Sequence, residues 1–401
     1  MASSLRRFLY VFLLSASFSL HAGKLSVNGF GTVGLACFSN EDADFRHNSL
    51  SEGAGATRTC DMGLDSKIGL QSQMYVNEYV ELHLQGVSYK HSDNSFDPGL
   101  TVASIIWRPN EEWRFRVGRF QNPNFIHSDS RLIGYTQPWV RPPREVYGSL
   151  PAYDVDGGDL YFLYQLDELT LTFNTGLYSA SETLNVSGEP FDAEASDNIY
   201  LNVTGNAGDL TWKVGVIYGE TSAQPDSITS FVNTLTFFGQ PSLAKEFSHI
   251  DKTSYYIYGG FWYESLDWLF TGEYVYSDFE SYFNENHGAY LTVGRRFNDW
   301  LLHGTWAWRT REGLDISRQV VNSQLSAIAA GIKTVTDLGS HDIGIGINYT
   351  VSENMLLKMQ LNYIIPEAGS SGASYANTTK DYDIYNPDND ILFSLSLDFI
   401  F

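Results

Sequence analysis

The chain closes on Asp390–Phe401, DILFSLSLDFIF, and the reading of this stretch decides the fold. Ile391, Phe393, Leu395, Leu397, Phe399 and Phe401 fall on one face of an extended strand, and Ser394, Ser396 and Asp398 on the other, because successive strand side chains point to opposite sides. The same alternation holds upstream for Leu357, Met359, Leu361 and Tyr363 against Lys358, Gln360 and Asn362. It holds again for Ile343, Ile345, Ile347, Tyr349 and Val351 against Gly344, Gly346, Asn348 and Thr350. Strict alternation over about ten residues fits a membrane-spanning β-strand as well as a soluble sandwich, and periodicity alone does not separate them.

Other features do. Beyond residue 22 no apolar run approaches the ~18 residues a membrane-spanning helix needs. Trp107, Trp113, Trp262, Trp268, Trp300, Trp306 and Trp308 cluster at strand ends, where an indole keeps its N–H wet and its ring in the lipid boundary. The alternating segments are 25–38, 64–75, 80–91, 99–108, 113–119, 158–166, 169–179, 197–205, 209–219, 253–264, 267–278, 287–297, 300–310, 341–351, 355–365 and 390–401, sixteen in all. The connections run long, short, long, short, with Asp167-Glu168, Ser265-Leu266 and Asn298-Asp299 among the tight turns. An even, all-β, antiparallel up-and-down barrel with both termini on the short-turn side follows, and closure removes the exposed strand edges.

Composition agrees. With 25 Lys+Arg against 47 Asp+Glu and a net charge of −22, the chain lacks the basic surface of a nucleic-acid binder, and 401 residues with 15% aromatics are too long and too aromatic for a disordered chain. Residues 1–22 read as a secretory signal: Arg6 and Arg7 precede an apolar stretch from Phe8 to Leu20, and Ala22 precedes Gly23. The working domain is then 23–401. Export places Cys37 and Cys60 in an oxidising compartment, where a bridge closing the loop between them is expected. Neither cysteine has a histidine at metal-ligand spacing, and no cofactor is implied.

Signal, sixteen alternating strands, tight turns on one side, long loops on the other and a terminal Phe401 together resemble the Gram-negative outer-membrane porins. Val117-Gly118-Arg119, leading into Asn122-Pro123-Asn124-Phe125, and Pro138–Gly148, PWVRPPREVYG, resemble the third-loop region of porin-like proteins. The resemblance implies a water-filled diffusion channel for small hydrophilic solutes and ions in the cell outer membrane, embedded in lipid and lipopolysaccharide. It implies insertion by the barrel assembly machinery, with Phe401 as the assembly signal, and a homotrimer, which the small lipid-phase residues Gly29, Gly31, Thr101 and Ala103 permit. It also implies that the third loop folds inward.

By position that loop is 120–157. Asp129, Arg131, Arg141, Arg144, Glu145, Asp154 and Asp156 give it both charge signs, and Pro123, Pro138, Pro142, Pro143 and Pro151 stiffen it. At lumen phase the wall adds basic Lys67, Arg114, Arg116, Lys213, Arg296, Arg309 and Lys358 and acidic Glu81, Glu273 and Asp398. Basic residues win inside, so Arg114, Arg116, Arg141 and Arg144 are expected to make a constriction that favours small anionic solutes. The opposing reading is that the arginines pair with Glu145, Asp154 and Asp156 and only brace the loop. In loop 311–340, Val321, Leu325, Ile328 and Ile332 recur at helical spacing, and loop 220–252 is similarly apolar.

Two other classes stand beside the channel. An adhesin or structural barrel would have a closed lumen. An outer-membrane hydrolase would need a nucleophile, a base and an orienting group, and His47, His83, His91, His127, His249, His287, His303 and His341 show no G-x-S-x-G or H-E-x-x-H context.

Overall fold

A computed structural model describes residues 24–47, 60–91, 93–150, 152–186, 189–372 and 375–401. The secretory segment therefore lies outside the described residues. Sixteen antiparallel strands close into one barrel: β1 (Leu25–Phe38), β2 (Lys67–Tyr75), β3 (Val80–Tyr89), β4 (Pro98–Trp107), β5 (Trp113–Gln121), β6 (Asp154–Leu166), β7 (Leu169–Val186), β8 (Glu189–Ala207), β9 (Leu210–Ala223), β10 (Lys252–Glu264), β11 (Trp268–Phe279), β12 (Asn286–Phe297), β13 (Trp300–Arg311), β14 (Ser340–Ser352), β15 (Met355–Pro366) and β16 (Asp390–Ile400). Closure is made by β1 against β16, with Phe30 opposite Ile400 and Phe38 opposite Leu392. Just beyond β16, Phe401 exchanges backbone hydrogen bonds with Gly29, which ties the last residue into the seam.

The two faces are inverted relative to a soluble protein. Outward-pointing Leu177 and Ile345 are 61% and 62% exposed, whereas inward-pointing Thr271, Thr292 and Ser394 are fully buried. An apolar outer surface that wraps the whole barrel is one that lipid covers. Arg295, the cation out of lumen phase, lies near the short turn with its guanidinium 4.8 Å above the Trp268 ring, a position from which it reaches the interface.

Two segments differ from expectation. Instead of a loop at 180–196, β7 and β8 continue as a hairpin arm to Val186 and Glu189, paired from Ala180–Ala195 to Val186–Glu189. Projecting beyond the lipid, the arm has no need of an apolar outer face, so the alternation that marks the other strands fades there while the hydrogen-bond ladder goes on. Between β5 and β6 the loop is shorter than expected, because β6 already begins at Asp154.

The outer loops fold on one another. Helix α1 (Arg144–Tyr147) lies in the third loop, α2 (Asp226–Phe237) and α3 (Pro241–Phe247) in the loop after β9, and α4 (Ser323–Thr336) in the loop after β13. Asn322 caps α4 by accepting from the backbone N–H groups of Gln324 and Leu325. Leu325 and Ala329 of α4 pack with Phe231, Leu235 and Phe247 of the other loop, so the two apolar loops cover each other. Val321, expected on the buried stripe, precedes the helix and is exposed. Cys37 and Cys60 form a disulfide that ties the end of β1 to the approach to β2, and Asp44–Phe45 pairs with Tyr375–Ala376 to join the first loop to the last.

Candidate functional site

Strand β5 has only nine residues, so the third loop leaves the wall inside the barrel rather than at its rim. From there it crosses the lumen and is hydrogen-bonded to every strand from β8 to β16. The Pro123 carbonyl accepts from Asn202 of β8 and from Lys213 of β9, at 2.9 and 2.8 Å. Asn124 accepts from the Tyr258 hydroxyl of β10. Glu273 of β11 accepts from the Ile126 backbone N–H at 2.9 Å and from the Tyr147 hydroxyl at 2.5 Å. The Trp139 indole donates to Thr292 of β12 and Thr305 of β13, at 3.0 and 3.1 Å. Asn348 of β14 donates to the Pro138 carbonyl, Lys358 of β15 to the carbonyls of Gly134 and Trp139, and the Arg141 guanidinium to Ser394 of β16.

Packing follows the hydrogen bonds. Phe125, Trp139, Val146, Tyr147 and Leu150 of the loop join Tyr258, Tyr290 and Val275 of the wall in one apolar cluster. A Cβ at Gly288 of β12 would stand 2.0 Å from the Glu145 carbonyl, so glycine is what lets α1 lie against the wall. Burial among these rings holds the His127 imidazole down at about 4, with Lys213 adding to the effect, and pushes the Tyr147 hydroxyl well up.

The charged residues expected at the constriction divide into four groups. Arg116 is bonded to Asp159 through two nitrogens and Arg114 lies 3.5 Å above the Tyr161 ring, both inside the barrel. Arg141 forms a fork to Asp65 at 2.6 and 3.0 Å, and Arg144 touches Glu145 at 3.1 Å. Arg131 is turned into its own loop, donating to the carbonyls of Leu150 and Tyr147, while Asp129 is exposed on the loop. Asp154 and Asp156 are not in the loop at all. They lie on β6 in the phase opposite to buried Val155 and Asp159, so they face outward and pair with Arg119.

The inner wall is therefore less basic than the charge count implies. Asp65 and Asp159 answer Arg141 and Arg116, Asp398 answers Lys358 at 2.9 Å, and Glu264 answers Arg296. Glu81 pairs with Arg108 and His83. Lys213 is held by the carbonyls of Pro123 and Phe125. Asp65 shares a phase with Lys67, a signal present in the sequence; Asp159 and Arg119 find their partners only once β6 is known to begin at Asp154.

Space remains on both sides of the loop. Below it a cavity of about 170 Å³ is lined by Asp129, Tyr161, Asn174 and Lys213. Above it lies a vestibule of about 660 Å³, floored by Asn122, Arg144 and Ser149 of the loop and walled by Arg309, Arg311, Tyr256 and the β7–β8 arm. At its rim the His249 ring nitrogen Nδ1 meets the Ser281 hydroxyl at 2.6 Å, but Nε2 faces the Thr221 hydroxyl, so no carboxylate or amide orients the ring as a hydrolase would need. Among the described residues no group of three or more His, Cys, Asp or Glu is placed to hold a metal ion.

No protein-family model and no curated protein matches the chain. Solved structures match it over nearly its whole length. The anion-selective porin from Comamonas acidovorans is 11% identical, with 94% of this chain and 100% of that one covered and a TM-score of 0.57. The outer membrane channel DcaP of Acinetobacter baumannii is 14% identical, covering 96% of this chain and 100% of its own at a TM-score of 0.52. The trimer form of OmpT, an outer membrane protein of Vibrio cholerae, is 12% identical, with coverages of 95% and 100% and a TM-score of 0.52. The fold is that of the sixteen-stranded outer-membrane porins.

Proposed function

We propose that the chain is an outer-membrane porin, a diffusion channel for small hydrophilic solutes and ions whose working domain is 23–401 and whose narrowest level is set by the loop between β5 and β6. One observation carries this reading: a closed barrel with a polar inner wall holds that loop within its lumen by bonds to nine successive strands. A barrel that served only as an anchor has no need of a stiff, charged loop across its interior. Arg114, Arg116, Arg141 and Arg144 are the residues set against the pathway, with Asp129 and Glu145 beside them. The trimer form of a structurally similar protein supports a homotrimer, with lipopolysaccharide and the assembly machinery as the surroundings such a barrel meets.

A second reading has an observation of its own. Much of the loop is buried, Trp139, Val146 and Tyr147 almost completely, and a loop packed this closely favours a barrel with a shut lumen that presents its outer loops to a partner.

Reversal potentials in a planar bilayer across a tenfold KCl gradient separate the two. Discrete conductance steps establish the channel, and their sign gives its selectivity. Folded protein that never conducts establishes the shut barrel.

A further inference from the structure

The vestibule above the loop is built unlike a passage. A wide aqueous funnel would leave its cations in water, where they cost nothing. Here Arg144 and Arg309 are each only 6% exposed and face the cavity together with Arg311. Arg309 spends its Nε on the Asn286 amide oxygen at 2.8 Å and has no further acceptor among the described residues. Arg311 stands 5.4 Å above the Phe283 ring, and its buried Nε has none. Arg144 Nη2 makes one long bond to the Ser340 hydroxyl, its Nε contacts Glu145 at 3.1 Å without hydrogen-bond geometry, and its Nη1 is unbonded. Three guanidinium groups thus share one cavity with Glu145 as the only carboxylate within 4.0 Å of any of them among the described residues.

Burying cations without acceptors is unfavourable unless an anion completes the site, and a guanidinium fork suits the planar, two-oxygen geometry of a carboxylate. The rest of the lining says what the carboxylate is attached to. Tyr178, Tyr256, Phe279, Tyr282 and Phe283 give the cavity aromatic walls. Its volume of about 660 Å³ lies in the range of small-molecule sites. Guanidinium groups and aromatic rings lining one chamber suit an amphipathic ligand better than a hydrated ion.

The geometry points to the vestibule as a binding site for a small aromatic carboxylate, its carboxylate taken by Arg144, Arg309 and Arg311 and its ring by the tyrosine and phenylalanine walls. As a site on a permeation path it rests on the channel reading above; as a binding site it is testable apart from it.

The test is equilibrium dialysis of 2-naphthoate against the full-length barrel folded in detergent micelles, with empty micelles subtracted and naphthalen-2-ylmethylammonium as the cation of like shape. The expected result is saturable binding of one naphthoate per barrel and at least about tenfold weaker binding of the cation, the scale of a lost charge-assisted pair. The double variant Arg309→Gln/Arg311→Gln is expected to weaken naphthoate by at least about tenfold without weakening the cation. Equal binding of the two ions, no saturable binding, or an unaffected double variant overturns the proposal. Should the double variant fail to fold, the comparison of the two ions on the unaltered protein decides. Conductance is measured on the same preparation: a barrel that conducts but does not bind sinks the site alone, and one that binds but does not conduct sinks the channel alone.

Discussion

The indole N–H of Trp139 reaches from the third loop to Thr292 of β12, 3.0 Å away and 153 residues along the chain. The carbonyl of the same residue accepts from Lys358 of β15 at 3.0 Å, so one loop residue is fastened to two parts of the wall. Since the strand ladder does not depend on it, Trp139→Ala should release the loop without unfolding the barrel. Removing a buried tryptophan costs about 3–5 kcal/mol, which is larger than any single hydrogen bond here. The expected outcome is larger or noisier conductance steps from protein whose heat-modifiable migration is unchanged. Steps identical to the unaltered protein would show that the loop does not limit the channel.

Gly288 tests the same docking from the wall. Alanine there sets a Cβ 2.0 Å from the Glu145 carbonyl, a backbone atom that cannot swing aside, so α1 must shift. Gly288→Ala should destabilise loop docking by about 1–3 kcal/mol, the usual cost of overpacking. A Cβ at Gly331 in α4 would meet nothing within 4 Å, and Gly331→Ala should instead stabilise its helix by about 0.5–1 kcal/mol. Urea-dependent tryptophan fluorescence on the two variants checks the sign of each; a destabilising effect at both positions would remove the argument from contact.

The barrel was legible in the sequence because lipid imposes it. Where an outer face must be apolar, as at Ile343, Ile345 and Ile347 or Leu395 and Leu397, alternation appears and fixes both phase and strand. Where lipid ends, the signal ends, and the arm from Ala180 to Ala195 reads as a loop although its ladder is continuous. The pairings were less legible than the charges. Tight turns fix register, but β5 and β6 are joined by a long loop, so nothing in the sequence sets Arg116 opposite Asp159 or Arg119 opposite Asp156. The loop's course across the lumen left one readable trace, its prolines, and no trace of its partners Thr292 and Thr305.

Arg141 and Asp65 form a fork with side chains 9% and 2% exposed. Arg141→Ala leaves a buried carboxylate without its partner, which costs about 3–5 kcal/mol, whereas adding Asp65→Asn removes the stranded charge and should recover most of it. The same pair bears on selectivity. If these groups border the path, Arg141→Ala together with Arg144→Ala should shift the reversal potential toward cations; an unmoved potential would place both arginines off the path and leave them as braces.

The Cys37–Cys60 bridge closes a loop of 23 residues in sequence separation. Intact masses with and without reductant should differ by the two hydrogen atoms that reduction of a single bridge adds. By the chain-entropy argument, Cys37→Ser with Cys60→Ser should lower the stability of the outer loops by about 2–4 kcal/mol, read as faster proteolysis there, with β1 still paired to β16. Equal digestion rates would show that the Asp44–Phe45 pairing with Tyr375–Ala376 already holds this region.

His127 gives the docked loop a pH dependence whose sign is fixed. Its ring stands edge-on to Trp262 and Trp139, at 4.6 and 5.7 Å between centroids, and its Nε2 has no acceptor. Burial first, and Lys213 second, lower its folded value to about 4 from the 6.5 of an open imidazole. A lowered histidine binds its proton more readily once the loop is released. Its contribution to docking is therefore complete above about pH 6.5 and is lost as pH falls toward 4, by about 3 kcal/mol across that window. Conductance steps recorded at pH 7.5 and at pH 4.5 should be larger or noisier under acid, and His127→Phe, which keeps a ring in the same space but has no proton to take up, should abolish the difference. An acid effect that persists in His127→Phe would overturn the assignment of the pH dependence to this ring.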